Sequence, residues 1–268
     1  MPSIYLINVG ANVGHQSQVR SPVFIEDGDR FAFLTFPHKD CTSRYLKSLH
    51  SYVKEPATSR THLDPDWEHL TYGDNCANGR AGALRRVEVG DIFIFWALLW
   101  RIPDRTHNVF ETWDRGWYLV GAMTVGHVLG PGESLSALPA EARKRALANE
   151  HIEAGRVRKA DGRHDRVFVG DPRHSQLFES AVDLQVGDNF GLLRRTIFAK
   201  DGRELRWTDE GKSPRWNSAL RACRAVLDLS SRGDRARAEQ ICKAVRRANP
   251  GYDLLGSLSP AGREGRRG

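Results

Sequence analysis

The run SIYLINVGAN near the start of the chain is mostly apolar and stops at the glycine-bearing residues 10–14, which predicts a buried strand leading into a loop. Residues 23–25 and 31–36 are β-prone runs separated by Glu26-Asp27-Gly28-Asp29. Turn formers between such runs predict a hairpin, with His38 just beyond its exit at Pro37. Tyr45, Leu49 and Val53 recur every four residues and predict a short amphipathic helix over 44–53. From 57 to 80 the chain is polar and rich in turn residues (Pro65, Gly73, Asn75, Asn78), so irregular structure with one short helical turn is expected.

The strongest pattern is VEVGDIFIFW, residues 87–96, where Val89-Gly90-Asp91 turns the chain into an uninterrupted apolar run. Such a run predicts a central strand covered on both faces. WYLVGAMTVGHV, residues 117–128, predicts a second long strand, and Gly121 and Gly126 sit where a sheet would bend or bulge, as in a small barrel. An Ala-rich segment, 138–153, predicts a helix, and shorter strands are expected at 167–170, 180–184 and 192–198. Ser213 as N-cap and Pro214 at the first helical position, followed by Trp216, Leu220, Cys223 and Leu227, predict a helix. A second helix is expected over 235–248, ended by Asn249-Pro250-Gly251. These elements predict an α+β fold, a curved, mainly antiparallel β-barrel with peripheral helices, over residues 1–210. A basic C-terminal helical hairpin follows over 211–256 and a flexible basic tail over 257–268.

Composition narrows this picture. The chain has 268 residues, 40% hydrophobic and 27% charged, enough for a sizeable buried core in one large or two small domains. The longest uncharged apolar stretch, 92–100, is less than half of what a helix needs to cross a bilayer, so a membrane-embedded helical protein is not expected. The first residues lack a basic region, a long apolar segment and a cleavage site, which makes the cytoplasm the default location. The net charge of +7 is unevenly placed. Residues 211–268 hold 13 Lys and Arg against 5 Asp and Glu, a net of +8, leaving −1 for the rest. A local excess of this kind attracts polyanions, nucleic acid above all; the plainer reading is a soluble, Arg-rich helix pair. Cys41, Cys76, Cys223 and Cys242 form no CxxC pair and are expected to be small buried thiols.

The VGD turn launching an aromatic strand, followed about twenty residues later by LVGAMTV, resembles the PUA-like superfamily that includes the EVE, ASCH and YTH domains. More particular residues carry a second resemblance. Asn8-Val9-Gly10-Ala11-Asn12, His15, Arg20-Ser21-Pro22, the Glu26-Asp27-Gly28 turn, Leu63-Asp64-Pro65-Asp66-Trp67 to Thr71-Tyr72-Gly73-Asp74, and Val169-Gly170-Asp171-Pro172 with Ser175 and Leu177 look like the nucleotide modification associated domain 3 family. This resemblance spans roughly residues 3 to 190. It implies a connection with DNA base modification and no particular reaction.

Recognition of a base needs flat apolar walls and a few polar groups that read its edge. Trp96, Trp100, Trp113 and Trp117 flank the connection between the two best strands, with Arg101, Arg105 and His107 inside it as candidate phosphate contacts. The plainer reading makes Trp96 and Trp117 core, with Trp100 and Trp113 either covering it or serving as the candidate binding aromatics. Asn8, Asn12, Arg20 and Ser21 form the second constellation: amides and hydroxyls suit base edges, and Arg grips phosphate. Asn12 and Ser21 also suit plain turns. His15 and His38 are the acid/base candidates if the chain is an enzyme. Tyr72 and Asp74 complete the candidate binding set, Asp74 either polarising His38 or capping a turn. The phosphate-loop, dinucleotide, hydrolase-elbow and zinc-helix motifs are missing, and no motif names a cofactor or a metal. His164, Asp165, Asp171 and His174 match no metal-ligand spacing and read as a solvated loop. The leading expectation is a module that binds a modified base or nucleotide, with the basic C-terminal part gripping the polymer. The alternatives are an enzyme that modifies or demodifies a nucleobase, and a protein-interaction domain whose basic tail docks an acidic partner.

Overall fold

A computed structural model describes residues 2–9, 23–24, 30–32, 36–37, 61–62, 64–77, 81–101, 114–153, 165–183, 199–200, 203–204 and 223–258. Its strands are β1 (Ser3–Asn8), β2 (Val23–Phe24), β3 (Phe31–Ala32), β4 (Phe36–Pro37), β5 (Thr61–His62), β6 (Thr71–Asn75), β7 (Ile92–Arg101), β8 (Asp114–Leu129), β9 (Asp165–Asp183), β10 (Ala199–Lys200), β11 (Arg203–Glu204) and β12 (Arg224–Asp228). Its α-helices are α1 (Ala140–Leu147), α2 (Glu150–Glu153) and α3 (Arg232–Ala248).

The uncharged run of β7 lies inside the main sheet, whose order is β12-β1-β7-β8-β9-β6. β1 runs parallel to β7, and the other neighbours along this path are antiparallel. The turn before β7 is made as the sequence predicts. Gly90 takes a φ of 98°, where a Cβ would be strained. Asp91 Oδ1 accepts from the Ser3 N–H at 2.7 Å and Oδ2 from the Glu88 N–H at 2.9 Å, tying the start of β1 to the turn.

Three register shifts in β8, around Gly121 and Gly126, and one between Phe95 and Trp96 of β7 bend the sheet. The bend brings its far ends together: Tyr72 of β6 places its hydroxyl 3.5 Å from Cys223 Sγ, at the entry to β12. The result is a curled half-barrel packed with Tyr5, Tyr72, Phe93, Phe95 and Phe168. Helix α3, N-capped by Ser231, buries Ala238, Ile241 and Val245 in this same core. A second cluster, with Ala142, Ala146, Ile152, Val167 and Val169, lies under α1 and α2. Among the described residues no helix is long and apolar enough to cross a membrane.

Several expectations need correction. The 57–80 segment contains β5 and the five-residue β6, whose polar Thr71 and Asp74 are buried because tertiary partners satisfy them. Of the 31–36 run, Phe31–Ala32 pairs antiparallel with β2, as the expected hairpin requires, and Phe36–Pro37 pairs with Thr61–His62; residues 33–35 lie outside the described residues. Residues 167–170 and 180–184 do not form separate strands, since both fall in the long, irregular β9 except Leu184, which is outside the described residues. The 138–153 helix is two helices, separated where Asn149 caps α2 by accepting the His151 N–H at 3.0 Å. Cys223 to Leu227 is not helical. Arg224–Asp228 pairs with β1, because Cys223 and Leu227, four apart, share a face in a strand as well as in a helix. Among the described residues of the expected C-terminal helical hairpin, a strand precedes the turn where a helix was expected, and one helix follows it. The helix expected at 44–53, the strand at 192–198 and residues 213–222 lie outside the described residues.

Candidate functional site

The N-terminal constellation begins at the end of β1. Asn8 pairs with Trp96 of β7, and the Val9 N–H donates to the Trp96 carbonyl at 2.9 Å. The chain is next described at Val23, which pairs in parallel with Trp100 of the same strand. The described chain thus pairs with β7 at Trp96 before residues 10–22 and at Trp100 after them, positions about 13 Å apart for four strand residues. β7 ends at Arg101, which pairs with Asp114 at the start of β8, so the tryptophan-bearing connection leaves from the same end of the sheet. Asn12, His15, Arg20, Ser21, His38, Arg105, His107 and Trp113 lie outside the described residues, and Trp100 is described by its backbone.

Asn8 is an amide in a strand that is otherwise apolar from Ile4 to Val9, and it is only 4% exposed. By strand alternation it shares a face with Ile4 and Leu6. Among the described residues its Nδ2 has no hydrogen-bond partner. A buried donor without an acceptor costs about 1–3 kcal/mol. Trp96, directly beside it, is fully buried.

Tyr72 and Asp74 turn inward from β6 to the centre of the half-barrel. The Tyr72 hydroxyl donates to Asp74 Oδ2 at 2.8 Å, and its ring stacks on Phe168 with centroids 6.3 Å apart. Asp74 Oδ2 also lies 3.9 Å from the Cys223 thiol. Both groups join the two edges of the curled sheet.

A network that sequence reasoning missed lies on the flank of β6. His151 Nε2 is 2.9 Å from Asp64 Oδ2, and its Nδ1 is 2.8 Å from Asp165 Oδ1. A ring that faces carboxylate oxygens on both sides donates from both nitrogens only as an imidazolium, so the geometry suits a positive ring held between two carboxylates. Asp64 Oδ1 accepts from the Gly73 N–H at 2.8 Å and from Asn149 Nδ2 at 3.3 Å, and the same amide donates to Thr71 Oγ at 3.0 Å. Gly73 is required here, because a Cβ would overlap the His151 ring. His151 is 5% exposed and Asp165 2%, so Asp165 belongs to a buried ion network and not to a solvated loop. The cluster joins α2 to β6 and β9. The family resemblance includes Asp64, Thr71 and Gly73, and Asp165 reads from sequence as part of a loop; His151 and Asn149 carry no such signal.

The described thiols are buried. Burial, reinforced by the Asp74 carboxylate, pushes Cys76 up to about 12. Burial, then Asp253, pushes Cys242 up to about 12 as well. Since the thiolate is the nucleophile, only about one molecule in ten thousand is reactive at either position at pH 8. Peptide mapping after brief iodoacetamide treatment of native protein at pH 8 is therefore expected to leave Cys76 and Cys242 unmodified, and denaturation to label both. Rapid native labelling at either position would contradict this account of their surroundings.

Residues 3–245 match the family described as Nucleotide modification associated domain 3. The match runs past the 3–190 span that the motifs suggested, through β12 and most of α3. No curated protein and no solved structure matches the chain. With every described strand of the curled sheet inside the matched span, the chain belongs to the nucleotide modification associated domain 3 family.

Proposed function

We propose that the chain binds a nucleotide, or a modified base within nucleic acid, at the end of the sheet where β1 and β7 meet. The observation that carries this reading is the shared anchorage of the N-terminal segment and the tryptophan-bearing connection on β7, at Trp96, Trp100 and Arg101. The family's association with nucleotide modification supports the choice of ligand. Asn8 supplies the buried donor that reads the base edge. Asn12, Arg20 and Ser21, which follow it in the chain, contact the edge and the phosphate, and Trp100 and Trp113 provide the flat walls. Tyr72 and Asp74 hold the two sheet edges together behind the site. The PUA-like reading of the curled sheet belongs to the same proposal.

Asn8→Leu tests this with two readouts. Replacing a buried, unpartnered amide by an apolar group of similar size leaves stability unchanged or raises it. A lost hydrogen bond to ligand weakens binding about tenfold, on the order of 1.4 kcal/mol. Calorimetric titration with a panel of plain and base-modified deoxynucleoside monophosphates is expected to show selective binding by the natural protein and that loss in the variant. A variant that melts several degrees lower, or binds equally well, would show that Asn8 is a structural amide.

A further inference from the structure

Helix α3 buries one side and presents the other to solvent. At 3.6 residues per turn, Arg232, Arg235, Glu239, Lys243, Arg246 and Arg247 fall within about 120° of arc. All six are exposed, opposite the core-facing Ala238, Ile241 and Val245. Five are cations, and Glu239 is the single acid among them. Arg246 meets Asp253 at 3.2 Å, but both ends of that pair are more than half exposed, so it neutralises little. The Arg235 guanidinium donates to the Leu229 carbonyl at 3.1 Å, which fixes it at the N-terminal end of the stripe. Arg232, Lys243 and Arg247 pair with no carboxylate among the described residues. Arg237 pairs with Asp234 off the stripe. The stripe is about 22 Å long, about six base-pair steps of a duplex.

We infer that this stripe docks on the phosphate backbone of a nucleic acid and holds the polymer while a base is read elsewhere on the chain. The inference rests on the proposed nucleotide function for its choice of nucleic acid over other polyanions. Its own support is the concentration of charge: +8 within residues 211–268 against −1 in the remainder. A rigid helix seated in the core holds these cations in one row, and rows of cations displace condensed counterions from a nucleic-acid backbone. The contact is with phosphate and carries no sequence information.

Fluorescence anisotropy of the full chain with a labelled 20-base-pair DNA duplex, and with an RNA duplex and a single strand of equal length, tests this between 50 and 200 mM salt. Five phosphate contacts predict a slope of log affinity against log salt of about −4.5 for B-form DNA. The variant Arg232→Gln, Lys243→Gln, Arg247→Gln removes three exposed charges without disturbing the buried face. It is expected to melt like the natural protein, to bind about tenfold or more weakly at 100 mM salt, and to lose about 2.7 from the slope. A folded variant with unchanged affinity and slope would overturn the inference. So would equally tight, equally stripe-dependent binding of polyglutamate or of vesicles rich in anionic lipid. Asn8→Leu separates the two proposals: the stripe predicts that it keeps the salt-dependent binding of the duplex even where mononucleotide binding is lost or was never present.

Discussion

Replacing His151 by alanine is expected to lower the unfolding free energy by about 3–5 kcal/mol, the cost of leaving a buried charge without its partner. The reason lies in what stays behind. Asp64 and Asp165 keep their carboxylates inside the protein, and the ring that bridged them at 2.9 and 2.8 Å is gone. Like charges then face one another across a cavity, and α2 loses its tie to β6 and β9. Urea unfolding of the natural protein and the variant measures the difference. Combining the change with Asp64→Asn and Asp165→Asn removes both charges and is expected to recover a large part of the loss. If His151→Ala costs under about 1 kcal/mol, or the added changes recover nothing, the cluster is not the electrostatic clamp described here.

The second large effect concerns the bend of the sheet. Gly121 lies in β8 opposite Phe95, and a Cβ there would run into the Trp67 ring, with Cζ2 at 2.7 Å, and into the Gln176 carbonyl oxygen at 2.9 Å. Trp67 has little room to retreat, because its ring meets Phe95 edge to face with centroids 5.0 Å apart. Gly121→Ala is therefore expected to cost about 3 kcal/mol, the upper end of the usual range for overpacking. Gly82→Ala provides the contrast: its Cβ would meet only the flexible end of Arg85, at 3.6 Å, and a change within about 0.5 kcal/mol is expected. Adding Trp67→Ala to Gly121→Ala is expected to relieve part of the strain. Additive losses would show that the ring is not what excludes a side chain at Gly121.

These two sites differ in how far the sequence announces them. The central strands were readable because uncharged β-branched and aromatic runs have few alternatives to a buried sheet, and the glycines of β8 marked its bends. β6 was hidden by composition: Gly73, Asp74 and Asn75 disfavour strands, and Thr71, Gly73 and Asp74 are buried only because Asn149, Asp64, Tyr72 and the β9 backbone complete their bonds. β12 was misread because a four-residue spacing of apolar positions fits two periodicities at once. The His151 cluster had no local signature, since its members are 87 and 14 positions apart and only the folded sheet collects them. Asn149 before Glu150-His151-Ile152 was a readable helix cap, and it would have marked the break between α1 and α2. Asn8 was readable for a simple reason: it is an amide at the end of an apolar strand, where burial without a partner is costly.

The central claim, that a base is read where β1 leaves β7, is tested most directly at the Asn8 side chain itself. Its Nδ2 amide protons give assignable signals in a nitrogen–proton correlation spectrum, with Asn8→Leu identifying them by their disappearance. Titration with the nucleotide that binds best is predicted to shift these signals saturably, in step with backbone amides of Val9 and Trp96. Saturable shifts elsewhere in the protein while the Asn8 amide stays in place, or no shift with any nucleotide of the panel, would contradict it.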